Sequence, residues 1–177
     1  DTDGQFVESG DGISSVDTDG FTLQINSGND YNSSSKTYVC WAWKESADAG
    51  FDIVSYTGNA TNRTISHNLS AVPKMMIVRN LQGGYNWIVY HVGNGATKYM
   101  YLDTDASVYT GSGYFNDTTP TSSVFTVGTD AQVNTTSATI MAYVFADVQG
   151  FSKFGTYTGN GNADGPMIFL GFRPAWI

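Results

Sequence analysis

The chain has 177 residues, a formal net charge of -8 and 14% charged residues, where ordinary domains have about 25%. Nucleic-acid affinity comes mostly from Lys and Arg that displace counterions, so we expect this acidic chain to have no nucleic-acid partner. Because no apolar run approaches the roughly 20 residues of a membrane helix, we expect no membrane insertion either.

Two Asp-Thr-Asp-Gly sequences, at residues 1–4 and 17–20, predict tight turns, since Asp-Gly supplies the positive φ angles that hairpin turns need. The second stands directly before an alternating strand at residues 21–25. The same tetrapeptide opens many calcium loops, but an EF-hand needs glycine at its sixth position and glutamate at its twelfth. Counted from Asp17, those positions hold Thr22 and Gly28, so we interpret these sequences as turns and expect no metal.

A dense apolar run at residues 38–43 follows a polar loop at residues 26–36. Its aromatic and β-branched residues predict a strand that is covered on both faces, either by the chain's own core or by a neighbouring unit. Trp41 and Trp43 share a face, and we expect them to pack in a core or between units rather than to form a sugar-stacking platform. Cys40, the only cysteine, is expected to be a small buried residue with no reactive role.

The rest of the chain predicts short strands separated by Gly, Asn and Pro. A charged connector at residues 44–50 comes first, and one helical turn is expected at residues 69–73. Short strands without a sustained 3.6-residue period predict an all-β fold, an antiparallel and jelly-roll-like β-sandwich. The predicted strands are residues 51–56, 63–68, 73–79, 87–91, 99–102, 107–109, 124–127 and 138–145.

Part of the sequence occurs twice. The stretch at residues 51–59 returns at residues 151–160, so that Tyr56 and Tyr157 are 157 − 56 = 101 residues apart, as are Pro73 and Pro174. The apolar run at residues 37–43 is likewise echoed at residues 139–145. Solenoid repeats run about 20 to 50 residues, so a repeat of about 101 predicts domains in tandem. We therefore expect three parts: the C-terminal part of one β unit at residues 1–48, a complete unit at 49–148 and the start of a following unit at 149–177.

Residues typical of catalysis are sparse. His67 and His91 are the only histidines, and we expect each to lie in a strand and bond to a neighbour's backbone, since a metal site needs three or four convergent ligands. Nucleophile elbows, metalloprotease helices and phosphate loops do not occur in the sequence. The acids that a glycosidase pair would need are expected mostly in turns; they are Asp52, Asp103, Asp105, Asp117, Asp130 and Asp147. We expect no enzymatic activity, no catalytic residues and no cofactor.

The succession of motifs from about Asp17 onward resembles a tandem domain of large structural proteins of tailed bacteriophages, many of them marine. The resemblance rests on the Phe-Asp-Ile-Val-Ser-Tyr-Thr-Gly-Asn stretch at residues 51–59 and on six later groups, at residues 63–73, 85–91, 98–102, 119–125, 141–146 and 150–176. It implies a virion component such as a tail fibre, an appendage or a capsid-surface fibre, located on the virion surface. The family brings no established catalytic residues.

The resemblance and the tandem units together predict a structural virion protein that contributes to host-surface attachment. Its expected partners are other copies of itself, neighbouring virion proteins and a host-surface glycan or protein. The candidate receptor contacts are Tyr99, Tyr101, Tyr109 and Tyr114, because tyrosine offers a large contact area with a polar tip; packing of these rings on the core or on sister chains is the alternative. A carbohydrate-binding module of a secreted bacterial adhesin or glycan-processing enzyme is the second hypothesis, and a passive capsid-surface protein is the third.

Overall fold

The structure, a computed structural model, describes residues 12–24 and 32–177. The described residues form two compact units, which meet in the sequence between Trp43 and Lys44. Residues 1–4, for which the sequence predicts a turn, lie outside the described residues, as do Ile25 and most of the polar loop at residues 26–36.

The first unit contains a β-hairpin. Strand β1 (Gly12–Val16) pairs antiparallel with β2 (Phe21–Gln24). The turn between them closes through a hydrogen bond of 2.8 Å from the Asp17 amide to the Gly20 carbonyl. The Asp17 carboxylate accepts hydrogen bonds from the hydroxyls of Ser15 and Thr22. The prediction of a turn followed by a strand is confirmed here, and the carboxylate helps to hold the hairpin.

The prediction of a strand at residues 38–43 is wrong. Residues 37–43 form no strand, Trp41 and Trp43 are 64% and 62% exposed, and Cys40 is exposed rather than buried. A strand needs a neighbour to take its backbone hydrogen bonds, and no described strand pairs with this run. The apolar pattern therefore predicts side chains that need a partner to bury them, and the described residues do not bury them.

The second unit is mostly β and antiparallel. Its strands are β3 (Phe51–Thr57), β4 (Arg63–Ser66), β5 (Met75–Asn80), β6 (Ile88–His91), β7 (Lys98–Tyr101), β8 (Tyr109–Thr110), β9 (Val124–Val127) and β10 (Thr139–Phe145). They form a six-stranded sheet in the order β3-β10-β5-β6-β7-β8 and a two-stranded sheet of β4 and β9. The all-β prediction is confirmed.

One hydrophobic core receives side chains from both sheets. Alternation along β10 turns Ile140, Ala142 and Val144 to the inside, where all three are fully buried. From the small sheet, Ile65 on β4 and Phe125 on β9 belong to the same cluster. The six-stranded and two-stranded sheets thus share one core.

Helical structure in the described residues is limited to two single turns, and neither lies at the predicted position. They are α1 (Ser112–Phe115) and α2 (Ala131–Asn134), whereas residues 69–73 are not helical. The Asp130 side chain caps α2 by accepting a hydrogen bond of 2.9 Å from the Gln132 amide. A four-residue turn is too short to produce a helical period, so only such a cap could have indicated it.

Residues 151–160 repeat the sequence of β3 but do not form a strand. β3 itself is held by seven residue pairs with β10, and none of the described strands pairs with residues 151–160 in this way. Phe151 and Tyr157 are exposed, while Phe154 packs against Phe145 with ring centroids 5.8 Å apart. The repeated sequence therefore forms a strand in its first copy and not in its second.

Tyr56 joins β3 to α2, and its burial predicts a loss of stability in alkali. Its hydroxyl donates a hydrogen bond of 2.7 Å to the Val133 carbonyl. Burial raises the pKa of Tyr56, although the Arg63 guanidinium beside it acts in the opposite direction. Above the ordinary tyrosine pKa of about 10, the unfolded chain therefore releases this proton while the folded chain keeps it.

We expect the free energy of unfolding to fall as the pH rises above about 10, and Tyr56→Phe to reduce the slope by up to about 1.4 kcal/mol per pH unit. At neutral pH the same variant should be about 1 kcal/mol less stable, because the Val133 carbonyl loses its partner. Urea unfolding between pH 8 and pH 11 measures both quantities. Identical slopes for the variant and the wild type would contradict the prediction.

Candidate functional site

The four tyrosines proposed as receptor contacts come together at one edge of the six-stranded sheet. Tyr99 and Tyr101 lie two apart on β7 and therefore point to the same side of the sheet. Tyr109 on β8 is the direct cross-strand neighbour of Tyr99. Tyr114 reaches the same place from α1, which only Gly111 separates from β8. We call these four residues the tyrosine cluster.

The rings of the tyrosine cluster pack against one another: Tyr109 and Tyr114 stack on Tyr99, whereas Tyr101 meets Tyr99 edge-on. Tyr99 lies at the centre, with ring centroids 3.6 Å from Tyr114, 5.5 Å from Tyr109 and 5.6 Å from Tyr101. Tyr101 and Tyr109 are 5.4 Å apart. Aromatic pairs with ring centroids about 4.5–7 Å apart contribute about 0.5–1.5 kcal/mol beyond the area they bury. The cluster is therefore a rigid aromatic surface and not four independent side chains.

Exposure increases from one side of the cluster to the other. Tyr114 is 7% exposed and belongs to the core, and Tyr99 and Tyr101 are half-buried. Tyr109 is 41% exposed. Tyr114 thus packs in the core, which was the alternative to a contact role, and it supports the other three rings. Tyr109 presents its ring to solvent. For Tyr99, Tyr101 and Tyr109 the contact role stays a prediction.

Hydrogen bonds hold the hydroxyl groups of Tyr99, Tyr101 and Tyr114. The Gln132 side-chain amide donates a hydrogen bond of 2.7 Å to the Tyr114 hydroxyl. Burial, followed by the hydrogen bonds to Tyr99 and Tyr101, raises the pKa of Tyr114, and the nearby Asp130 carboxylate acts in the same direction. Burial also acts to raise the pKa of Tyr101, but hydrogen bonds from Tyr114, Gln132 and Tyr99 outweigh it and lower that pKa. Tyr114 therefore keeps its proton and Tyr101 is the preferred acceptor.

Glycines allow the backbone to approach the cluster closely. A Cβ atom at Gly111 would lie 3.3 Å from the Tyr99 ring. At Gly128, after β9, a Cβ atom would overlap the carbonyl group of Gly113 in α1. The Gly128 amide also donates a hydrogen bond of 2.8 Å to the Tyr114 carbonyl. These contacts hold α1, and with it Tyr114, against β9.

Sequence reasoning found the four tyrosines but not the polar groups around them. Gln132 gave no signal, because a glutamine beside a turn is most often an exposed surface residue. The sequence places Asp130 in a turn, and its position two residues before Gln132 is the feature that could have indicated a capped helical turn.

Both histidines bond to the backbone, as predicted, but only His91 lies in a strand as expected. His67, one residue beyond β4, has Nε2 at 3.1 Å from the Thr121 carbonyl oxygen, and its Nδ1 accepts from the Leu69 amide at 3.3 Å. A neutral ring protonated on Nε2 satisfies both contacts. His91 on β6 has Nδ1 accepting from the Gly93 amide at 3.1 Å. Both rings thus have structural partners.

Among the acids, Asp52 departs from the prediction of turn positions. It lies within β3, is 4% exposed and accepts a hydrogen bond of 2.6 Å from the Asn68 amide. Asp103 and Asp147 accept backbone hydrogen bonds from Trp87 and Phe154, respectively. Over residues 12–24 and 32–177, no three His, Cys, Asp or Glu side chains are arranged to hold a metal ion. Within the same ranges, no helix is both long and apolar enough to cross a bilayer.

The chemistry that this arrangement offers is binding. Stacked rings with one exposed face suit an apolar or planar ligand surface, and the hydroxyls at the rim offer hydrogen bonds. Tyrosine is used in this way in antibody paratopes, since it gives a large contact area at a low cost in conformational entropy.

Comparisons with known proteins place the chain in one family. No curated protein and no solved structure matches it. The profile of a family described as a domain of unknown function, DUF7483, matches residues 1–177. The chain therefore belongs to the DUF7483 family.

Proposed function

We propose that this chain is a structural virion protein of a tailed bacteriophage, part of a tail fibre, an appendage or a capsid-surface fibre on the virion surface, and that it contributes to host attachment. The observation that carries the attachment role is the exposed face of the tyrosine cluster at the β7–β8 edge. The virion setting is proposed from the likeness of the sequence motifs to phage structural proteins.

The two sheets are proposed to be the layers of a jelly-roll-like β-sandwich. Two features support this interpretation. Side chains of β4 and β9 lie in the same core as those of β5, β6 and β10. In addition, the chain passes between the two sheets after β3, β4, β8 and β9. Such crossings are typical of Greek-key sandwiches.

The unit is also proposed to be one member of a tandem array with a repeat of about 101 residues. The connectors that precede residues 51 and 152 support it. Each forms an isolated antiparallel bridge, Ser46 with Phe51 and Val148 with Ser152. Each also contains a glycine with positive φ, at 65° for Gly50 and 77° for Gly150. Both connectors thus contain a bridged turn with a positive-φ glycine, with four residues inside the bridge before Phe51 and three inside the bridge before Ser152.

The second candidate function is a carbohydrate-binding module of a secreted adhesin or glycan-processing enzyme. The stacked tyrosine rings favour it, because flat aromatic faces complement the apolar faces of sugars. Both candidates use the same surface, but the virion protein would act through many weak contacts along an array. The module would bind a defined sugar as a monomer and saturate.

Binding of the full chain to host cells and to a glycan array tests the proposal. We expect Tyr109→Ser to weaken binding by at least about tenfold, equal to about 1.4 kcal/mol, because the ring is an exposed contact and not part of the core. Tyr85→Ser is the matched control, since Tyr85 is half-buried outside the cluster, and it should bind as the wild type does.

Saturable binding of a monomer to one sugar would favour the carbohydrate-binding module. If the wild-type chain binds neither cells nor glycans, the attachment role is wrong and a passive capsid-surface protein is favoured. Equal losses for the two variants would mean that the tyrosine cluster is not the binding surface.

A further inference from the structure

Two described segments resemble, in sequence, two strands that pair with each other, but neither segment forms a strand. Residues 37–43 match β10, with Thr-Tyr-Val-Cys-Trp-Ala-Trp against Thr-Ile-Met-Ala-Tyr-Val-Phe, and residues 152–158 match β3 when Tyr157 is aligned with Tyr56. In the second unit, β3 and β10 are direct antiparallel neighbours over seven residue pairs. Residues 37–43 thus resemble one strand of a pair and residues 152–158 resemble the other.

The register of β3 and β10 can be transferred to these segments. Ala142 pairs with Val54, so Cys40 is placed opposite Gly155. Ile140 pairs with Tyr56 and Tyr143 with Ile53. The corresponding pairs are Tyr38 with Tyr157, and Trp41 with Phe154. Both are aromatic pairs of the kind that stabilises antiparallel strands.

The same register explains the composition of residues 37–43. The β10 residues that face the core are Ile140, Ala142 and Val144, and all are fully buried. Their counterparts are Tyr38, Cys40 and Ala42. On this face Cys40 thus stands between Tyr38 and Ala42, as a small apolar side chain opposite a glycine.

Much of both segments is open to a partner. Val39, Trp41, Trp43 and Tyr157 are each more than 60% exposed. Lys153 is the only charged residue in the two segments. Apart from the bridge of Ser152 to Val148, neither segment is paired with a described strand. Apolar segments with few charges and a largely unpaired backbone are templates for pairing with another chain.

We propose that copies of this chain join head to tail by strand exchange, in which residues 37–43 of one copy add as a strand to residues 152–158 of a second copy. The inference rests on the tandem repeat proposed above. Strand addition of this kind obtains its affinity from main-chain hydrogen bonds and its specificity from alternate side chains. Because the two contacting surfaces differ, the contact leaves a free segment at each end and extends into a ring or a filament.

The natural cysteine allows a direct test. Opposite residues of antiparallel strands have Cα atoms about 4.5–5.5 Å apart, which is within the range of a disulfide, about 4.4–6.8 Å. Gly155→Cys introduces the only other thiol, at a position where an added Cβ meets nothing within 4 Å. Gly159→Cys is the matched control, because it is an equally open glycine that lies beyond the strand.

After oxidation of the full chain with oxidised glutathione, non-reducing electrophoresis should show a ladder of linked oligomers for Gly155→Cys, at least about fivefold more than for Gly159→Cys. A linked product that migrates as a monomer would mean that the chain pairs with itself and would overturn exchange between copies. Equal linkage in both variants, or none in either, would also overturn the proposal.

A second measurement needs no disulfide. Light scattering coupled to size exclusion should show oligomers of the wild-type chain that grow with concentration. Val39→Pro should abolish them, since proline removes a donor from the added strand, while the second unit keeps its thermal unfolding. A monomeric wild-type chain contradicts strand exchange. Because cell and glycan binding report on the tyrosine cluster, failure of either idea can be recognised separately.

Discussion

Replacing Asn134 by alanine is expected to destabilise the protein by about 2–4 kcal/mol, because three backbone groups in buried or partly buried hydrogen bonds lose this side-chain partner. The Asn134 amide is fully buried at the end of α2. It donates hydrogen bonds of 2.7 Å to the carbonyls of Thr61 and Gly128, and it accepts one of 2.9 Å from the Asn59 amide. The side chain thus ties the loop after β3 and the end of β9 to α2.

Urea unfolding followed by circular dichroism measures this loss. Asn62→Ala is the control, because Asn62 is exposed and its side chain makes an exposed hydrogen bond to that of Asn116. We expect a change within about 0.5 kcal/mol for the control. A loss below about 1 kcal/mol for Asn134→Ala would mean that water replaces the amide, which would place the site at the surface and contradict the burial.

The strands of the second unit could be predicted because each has a short apolar pattern with turn residues on both sides. Residues 124–127 are β9 with the predicted bounds, and β10 differs from its prediction by one residue. Pairing between strands could not be predicted in the same way. The contact of β4 with β9 joins residues about 60 positions apart, and nothing local in either strand specifies the other.

The run at residues 37–43 shows more clearly what an apolar sequence pattern cannot predict. Its composition predicts a covered strand, and the same composition in β10 produces one. The difference lies in the neighbours, because β10 has β3 on one side and β5 on the other. An apolar pattern therefore indicates that side chains need burial, but a strand forms only where a partner strand is present.

The candidate site was predictable in its residues but not in its geometry. Tyr99, Tyr101 and Tyr109 follow from strand alternation and one hairpin, which are short-range rules. The position of Tyr114 depends on a single helical turn that packs on Gly128, and that packing joins distant parts of the chain. Burial of Tyr114 and exposure of Tyr109 follow from this contact, so sequence reasoning could not distinguish the two.

The second large effect is expected at Gly58, directly after β3. Gly58→Ala should destabilise the protein by about 3 kcal/mol or more, since an added Cβ would meet backbone that has little freedom to move. That Cβ would overlap the Thr135 carbonyl oxygen and would lie 2.7 Å from the Thr135 carbonyl carbon and 2.9 Å from that of Asn134. The approach is fixed by hydrogen bonds of 2.8 Å to the Ala138 carbonyl and 2.9 Å from the Ser137 amide.

Thermal unfolding of Gly58→Ala and Gly84→Ala distinguishes two effects. One is the clash of the added Cβ with nearby backbone at Gly58, and the other is the general effect of replacing a glycine by alanine. Gly84 is exposed, and an added Cβ there meets nothing within 4 Å. Alanine at that position should be neutral or slightly stabilising, because it reduces the freedom of the unfolded chain. Equal melting temperatures for the two variants would mean that β3 and α2 are not in contact at Gly58. Since Gly58 and Asn134 fix the same junction, the double variant should lose less stability than the sum of the two single losses.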